Sequence, residues 1–142
     1  MAVALQPQKP SLVGGCVRDN LLLPWTLKVR KPFPAPSEAA LAEAVERVGL
    51  EVALDRDASR LSVGQQARVA LLRVMLTEPR VLLLDEPDAA LDEDSAAAVS
   101  AMTALFAETG AAVVRVRHRA SDGLACARYR LAGGALSPEA LT

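Results

Sequence analysis

The chain has 142 residues and a formal net charge of −1, and 51% of it is hydrophobic with only 3% aromatic. That length makes it one domain or a piece of one, with a modest core built from Leu, Val and Ala. The near-neutral charge leaves no basic footprint for nucleic acid, no apolar run approaches bilayer-spanning length, and no basic-then-apolar secretion signal follows Met1.

Two cysteines, Cys16 and Cys126, form neither a ligand cluster nor a disulfide framework, which fits a reducing cytosol. Ala2 to Leu5 reads as the end of a short strand, and Pro7 and Pro10 forbid its continuation. Gln8 lies in that proline-flanked loop. Val17 to Leu23 predicts a short helix ended by Pro24. The only tryptophan, Trp25, follows; by type it is a core or hinge anchor. Lys31 to Pro36 is a stiff proline-rich connection. Ser37 caps a helix to about Val48, with Ala40, Leu41, Ala44, Val45 and Val48 on one face and Gly49 as its stop. Leu50 to Leu54 adds a small turn.

Ser62 starts the next helix, which runs to about Thr77, and Gln65 stands at the capping-box spacing. Val69, Leu72 and Leu76 recur at helical period. Gly64 near the start lets a ligand approach the backbone, where N–H groups and the helix dipole attract phosphate. By itself the pattern equally describes a capped core helix.

Val81 to Leu84 is a continuous apolar run between Pro79 and Pro87, the pattern of a strand buried on both faces of a parallel sheet. Asp85 and Glu86 follow at once. Burying an unpaired carboxylate is expensive, so both belong at the strand's carboxyl end, where open α/β sheets bind ligands. One carboxylate can hold Mg²⁺ while its neighbour polarises a water. An ordinary strand with a solvated acidic exit fits these residues as well. Ala90-Leu91-Asp92 forms a turn, and Glu93 to Ala107 a helix with an acidic first turn and Gly110 as stop. Ala112 to Val116 predicts a second buried strand, and His118, the only histidine, follows it. Arg115, Arg117 and Arg119 read as a solvated edge. Ala120 to Ala125 predicts a short helix. Arg128 to Leu131 and Ala135 to Ser137, joined by Gly133-Gly134, predict a hairpin.

Taken together, Leu61-Ser62-Val63-Gly64-Gln65, the helix after it, Val81 to Glu86 and Ala90-Leu91-Asp92 resemble the ATP-binding cassette (ABC) ATPases. Leu61 to Gln65 looks like their signature motif, with Val63 in place of a glycine, Val81 to Glu86 like the Walker B strand and Ala90-Leu91-Asp92 like the D-loop. The run from Gln8 through Gly14-Gly15 to Asn20-Leu21 is similar to the Q-loop, in better register than from Gln6. His118 matches the switch histidine, although Arg119 replaces the usual aspartate. Asn20 to Trp25 is loosely similar to bacterial cassettes that serve iron-export or metal-resistance permeases. In that family the region around Trp25 lies near the groove for the permease.

The resemblance implies an α/β fold: a P-loop NTPase-like parallel sheet with a small helical subdomain, about residues 16–78 of a partial cassette spanning 1–142. The chain contains no Gly-Lys pair, so the phosphate-cradling G-x-x-x-x-G-K-[ST] loop and its strand are missing from it. Family topology places that strand between the His118 strand and the terminal hairpin, and its sequence ahead of Met1. A start placed too late, a truncated gene and a half-domain working with another chain all remain open.

The implied ligands are ATP and Mg²⁺, with the phosphate grip supplied by a longer form or a partner. Glu86 is the implied general base, Asp85 a metal ligand, Gln8 a group that positions metal and water, and His118 a stabiliser of transferred charge. Ser62, Gly64, Gln65 and Asp92 would face the nucleotide of a second cassette in a head-to-tail dimer. The other implied partner is a transmembrane permease subunit, with the chain peripheral on the cytoplasmic face of the plasma membrane and no role for nucleic acid. The alternative is a non-catalytic half-cassette that docks on a permease or a complete ATPase and regulates it. Chromosome-maintenance and repair ATPases share some of these pieces, but their coiled-coil arms require heptads that this chain lacks.

Overall fold

The computed structural model describes residues 3–118 and 121–141. Its elements are β1 (Val3–Gln6), α1 (Val17–Thr26), α2 (Glu38–Arg47), α3 (Val63–Met75), β2 (Val81–Asp85), α4 (Glu93–Ala107), β3 (Ala112–Val116), β4 (Arg128–Ala132) and β5 (Ala135–Glu139). A single 3₁₀ turn, Ala58–Arg60, precedes α3. The sheet is parallel in the order β1-β2-β3, with Leu5 beside Leu83 and Leu83 beside Val114. β4 and β5 form a separate antiparallel hairpin. Its turn places Gly133 and Gly134 at φ 55° and 79°, the two left-handed positions that a tight hairpin turn demands.

The helix starts are where their capping residues put them. Ser37 accepts from the Ala40 N–H at 3.2 Å. Ser62 and Gln65 form the reciprocal capping box. Asp92 accepts from the Ser95 N–H at 2.8 Å. Each satisfies an amide that a helix leaves without a partner in its first turn. Behind these caps one continuous core joins Val17 and Leu21 of α1, Leu41 and Val45 of α2, Val69 and Leu71 of α3, Leu82 and Leu84 of β2, and Val99 and Met102 of α4. Asn20 is buried among them. Its amide donates to the Val13 and Cys16 carbonyls and accepts from the Val13 N–H, tying the segment that follows Gln8 onto α1.

Helix α1 does not stop at Pro24 but runs through it to Thr26. Proline removes one backbone donor and crowds the carbonyl four residues back. In the last turn that loss touches little, because the helix ends two residues later. Trp25 then anchors the proline-rich loop. Its Nε1 donates to the Pro34 carbonyl at 2.9 Å, and the Arg30 guanidinium lies 5.0 Å from its ring and 4.9 Å from that of Phe33. Residues 121–125 carry no helix either, while Ala120 lies outside the described residues. Gly123 there has φ 75°, and the Asp122 side chain is committed to two arginines.

Among the described residues the parallel sheet is sealed on one face only. Leu82 and Leu84 are sealed under the helices, but on the opposite face Val3, Leu5, Val114 and Val116 are 49–59% exposed. Parallel sheets ordinarily have helices on both faces; here α3 contacts β1 and α4 contacts β3, and both lie on the same side. Among the described residues the outer edges of β1 and β3 have no strand partner. Leu82→Ala should therefore cost about 2–5 kcal/mol, whereas Leu5→Lys should stay within about 0.5 kcal/mol. Urea unfolding of the chain measures both. Equal losses would show that something covers the open face in solution.

Candidate functional site

Parallel strands deliver their carboxyl ends to one edge, and the three loops leaving β1, β2 and β3 meet there. Gln8 Nε2 donates to Glu86 Oε2 at 2.8 Å. His118 Nε2 lies 2.8 Å from Glu86 Oε1. The two carboxylate oxygens are thus each held by a side chain from a different strand end. Glu86 is largely covered, with 19% of its side chain exposed, while the His118 ring is 81% exposed. Asp85 is exposed at the end of β2. Gln6 is buried on the same side as Leu84, so the register prefers Gln8 at the site.

The backbone bends sharply to present this carboxylate. Glu86 has φ 46°, a left-handed conformation unusual for a non-glycine residue. Its N–H donates to the Val116 carbonyl at 2.9 Å, and its own carbonyl accepts from the Ala89 N–H at 3.2 Å. Strain of this kind persists where the surroundings over-determine it, and such places cluster at functional sites.

The arginines beside His118 are not a solvated edge. Arg115 makes a two-pronged contact with Asp122 at 2.7 and 2.8 Å. Arg117 reaches Asp88 at 2.6 Å and Asp122 at 2.7 Å, and Ser100 of α4 donates to Asp122 at 2.9 Å. Arg119 lies outside the described residues. Period-two alternation puts Arg115 and Arg117 on the side of Val113, against α4, and that was readable; their acidic partners were not, because Asp88 comes from the exit of β2 and Asp122 folds back from just past the strand, where a helix was expected. The Arg115 guanidinium holds the Asp122 carboxyl well below the usual carboxylate range. A depressed folded-state value means that this carboxylate stabilises the fold fully above the ordinary carboxylate range and progressively less as pH falls through and below it. Asp122→Asn should accordingly flatten the acid limb of a stability-versus-pH curve, followed by thermal melting. An unchanged acid limb would contradict the assignment.

A second set gathers at the start of α3. Ser62 is exposed and Gln65 half-buried. Ser62 Oγ accepts from the Gln65 N–H at 3.2 Å, and Gln65 Oε1 accepts from the Ser62 N–H at 3.0 Å. Gly64 is buried against α4: a Cβ there would fall 2.1 Å from Ser95 Oγ and 2.7 Å from Ser95 Cβ. Ser95 in turn donates to the Asp92 carboxylate through both its N–H and its hydroxyl. The missing side chain of Gly64 therefore lets two helices touch and links the signature-like start to the Asp92 cap. Gly64→Ala should cost about 1–3 kcal/mol through overpacking, and adding Ser95→Gly should recover much of it in the same unfolding assay. A neutral Gly64→Ala would refute that close packing.

Among the described residues no three His, Cys, Asp or Glu side chains are grouped to hold a metal alone. Mg²⁺ does not ask for that, since it is usually bound by one or two carboxylates together with substrate phosphates. Asp85 offers one exposed carboxylate at the end of β2, next along the chain from Glu86, so the donor set fits.

Comparison with known proteins agrees with this geometry. The sequence profile of the family described as ABC transporter matches residues 2–89. The chain is 37% identical over 113 residues to "Probable iron export ATP-binding protein FetA" of Escherichia coli, covering 78% of this chain and 48% of that protein. It is 38% identical over 120 residues to the lipoprotein-releasing system ATP-binding protein LolD of Alcanivorax borkumensis, covering 83% and 52%. The zinc import ATP-binding protein ZnuC of Cereibacter sphaeroides is 42% identical over 131 residues, covering 84% and 54%. The chain thus spans about half the length of these relatives. Among solved structures, a dimeric ATP-binding cassette in a post-hydrolysis state with ADP and Pi superimposes with a TM-score of 0.67 at 28% identity, covering 83% of this chain and 53% of its own. A chain of an ABC transporter described as metal-chelate type gives a TM-score of 0.74 at 22% identity, covering 97% and 57%, a likeness of fold. Three strand ends converging on Glu86, a capped signature-like helix start and a family match across most of the chain lead to one statement: this chain belongs to the ABC transporter family, in its ATP-binding branch.

Proposed function

We propose that this chain is the nucleotide-binding subunit of an ABC transporter, or the back portion of one, and couples ATP binding and hydrolysis to transport across a membrane. The observation that carries this reading is the convergence of Gln8, Glu86 and His118 from three parallel strands onto one carboxylate. Glu86 acts as the general base on water, Gln8 positions the water and the metal, and His118 stabilises the transferred charge. Asp85 holds Mg²⁺, which when bound would neutralise phosphate charge. In the resting arrangement Gln8 and His118 occupy both Glu86 oxygens, so a substrate water takes the place of one of them.

Ser62, Gly64, Gln65 and Asp92 present the face that closes on the nucleotide of a second cassette, arranged head to tail. The glycine-lysine loop that grips the phosphates comes from a longer form or from a partner chain. A transmembrane permease subunit is the other partner, which places the chain on the cytoplasmic side of that membrane. None of the helices among the described residues is long and apolar enough to cross it.

Ser62→Asp tests this reading. Aspartate caps a helix as well as serine does, so the fold survives. It also sets a negative charge where a phosphate must approach. ATP turnover by an assembled complex containing the variant should fall at least tenfold, about 1.4 kcal/mol of lost transition-state binding. Unchanged turnover would remove the signature-like segment from the reaction.

A further inference from the structure

Asp88 is a carboxylate with 3% of its side chain exposed, and the hydrolytic roles proposed above do not use it. One residue, Pro87, separates it from Glu86 along the chain. Its ion-pair partner, Arg117, directly precedes His118. The last paired residues of β2 and β3 are Asp85 and Val116. Beyond them the two loops carry Glu86 and His118 outward, tied first by the Glu86 N–H to the Val116 carbonyl and then by Arg117 Nη2 to Asp88 Oδ2 at 2.6 Å.

Arg117 is itself fixed. Its other terminal nitrogen binds Asp122 at 2.7 Å, and Asp122 is pinned by Arg115 on β3 and by Ser100 on α4. The frame therefore runs from α4 through Asp122 and Arg117 to Asp88. A buried ion pair of this kind is weak evidence for stability, because desolvation offsets much of its attraction. What the planar guanidinium fork does supply is a defined direction, since its two terminal nitrogens meet two different carboxylates.

We propose that Asp88 and Arg117 are positioning residues whose ion pair holds the Glu86 turn against the His118 segment, and so sets the contact between the Glu86 carboxylate and the His118 ring. The catalytic meaning of this clamp rests on the reading of Glu86 and His118 as hydrolytic groups. Its geometry does not, and the test contains no nucleotide, so failure of the clamp and failure of that reading are distinguishable.

His118 is the only histidine in the chain, so its ring resonances are unambiguous. Glu86→Ala sets the spectrum of a ring without its carboxylate partner. Two variants of the full chain are compared with it: Asp88→Asn, and the double change Asp88→Leu with Arg117→Met, which strands no buried charge. In both, the ring resonances should move most of the way to the Glu86→Ala positions, and the cross-relaxation between the ring and the Glu86 side chain should vanish. Arg115→Gln, which leaves the Asp88–Arg117 contact in place, should keep the ring signals of the parent. If a variant with an otherwise native amide spectrum retains the parent ring signals, the proposal is overturned. If both variants lose the fold, the pair serves stability alone and the proposal is equally overturned.

Discussion

Glu86→Gln should lower ATP turnover of an assembled transporter containing this chain by about 10²–10⁴-fold, the usual worth of a positioned general base. The change removes the proton-accepting charge while keeping the shape that Gln8 and His118 grip at 2.8 Å on either side. A glutamine there keeps its oxygen toward His118 and its NH2 toward Gln8, whose amide can turn over to accept, so the side chain should stay in place, and nucleotide binding by the complex should survive while turnover does not. Steady-state phosphate release and nucleotide binding, measured on the same preparation, separate the two. Unchanged turnover would favour the other reading of this chain, a half-cassette that docks and regulates without performing the chemistry.

Arg117→Ala should have the largest effect on the fold. It strands Asp88, whose side chain is 3% exposed, and takes one of the cationic partners from Asp122, whose side chain is 18% exposed. Removing one partner of a buried ion pair typically costs about 3–5 kcal/mol. That is a large part of the stability of a small domain. Arg60→Ala, at an exposed residue of the 3₁₀ turn, is the comparison and should stay within about 0.5 kcal/mol. Urea midpoints for the two variants decide it. A loss below about 1 kcal/mol for Arg117→Ala would mean that water reaches Asp88, as at an exposed pair.

Much of the fold was legible because local chemistry dictates it. Ser37 and Ser62 name two helix starts and the acidic turn at Glu93 a third, and Val81 to Leu84 names the central strand. The Gly133-Gly134 turn names the hairpin. The acidic strand exit was legible as well, since Asp85 and Glu86 follow an apolar strand and can only lie at its end. Whatever depends on distant partners was not. Pro24 looks like a stop, yet so near a helix end it removes too little to act as one. The Ala112 to Val116 run looks buried on both faces, yet packing covers only one of them. Arg115 and Arg117 look solvated until Asp88 arrives from the exit of β2 and Asp122 folds back from just past the strand. Gly64 shows the same divide. Its place in the first turn of a capped helix is legible, and the close packing of its Cα on Ser95 is not.

The open sheet face and the reactive edge bear on the same claim. The proposed function asks of the edge a base, a metal-binding carboxylate and a switch-like histidine, but the chain has no glycine-lysine loop to grip a nucleotide. The measurement that tests this most directly is ATP affinity, by equilibrium titration, of the 142-residue chain beside the same chain joined to a segment bearing G-x-x-x-x-G-K-[ST]. The chain by itself should show no micromolar binding, and the joined form should acquire it. A micromolar dissociation constant for the chain alone would contradict the account.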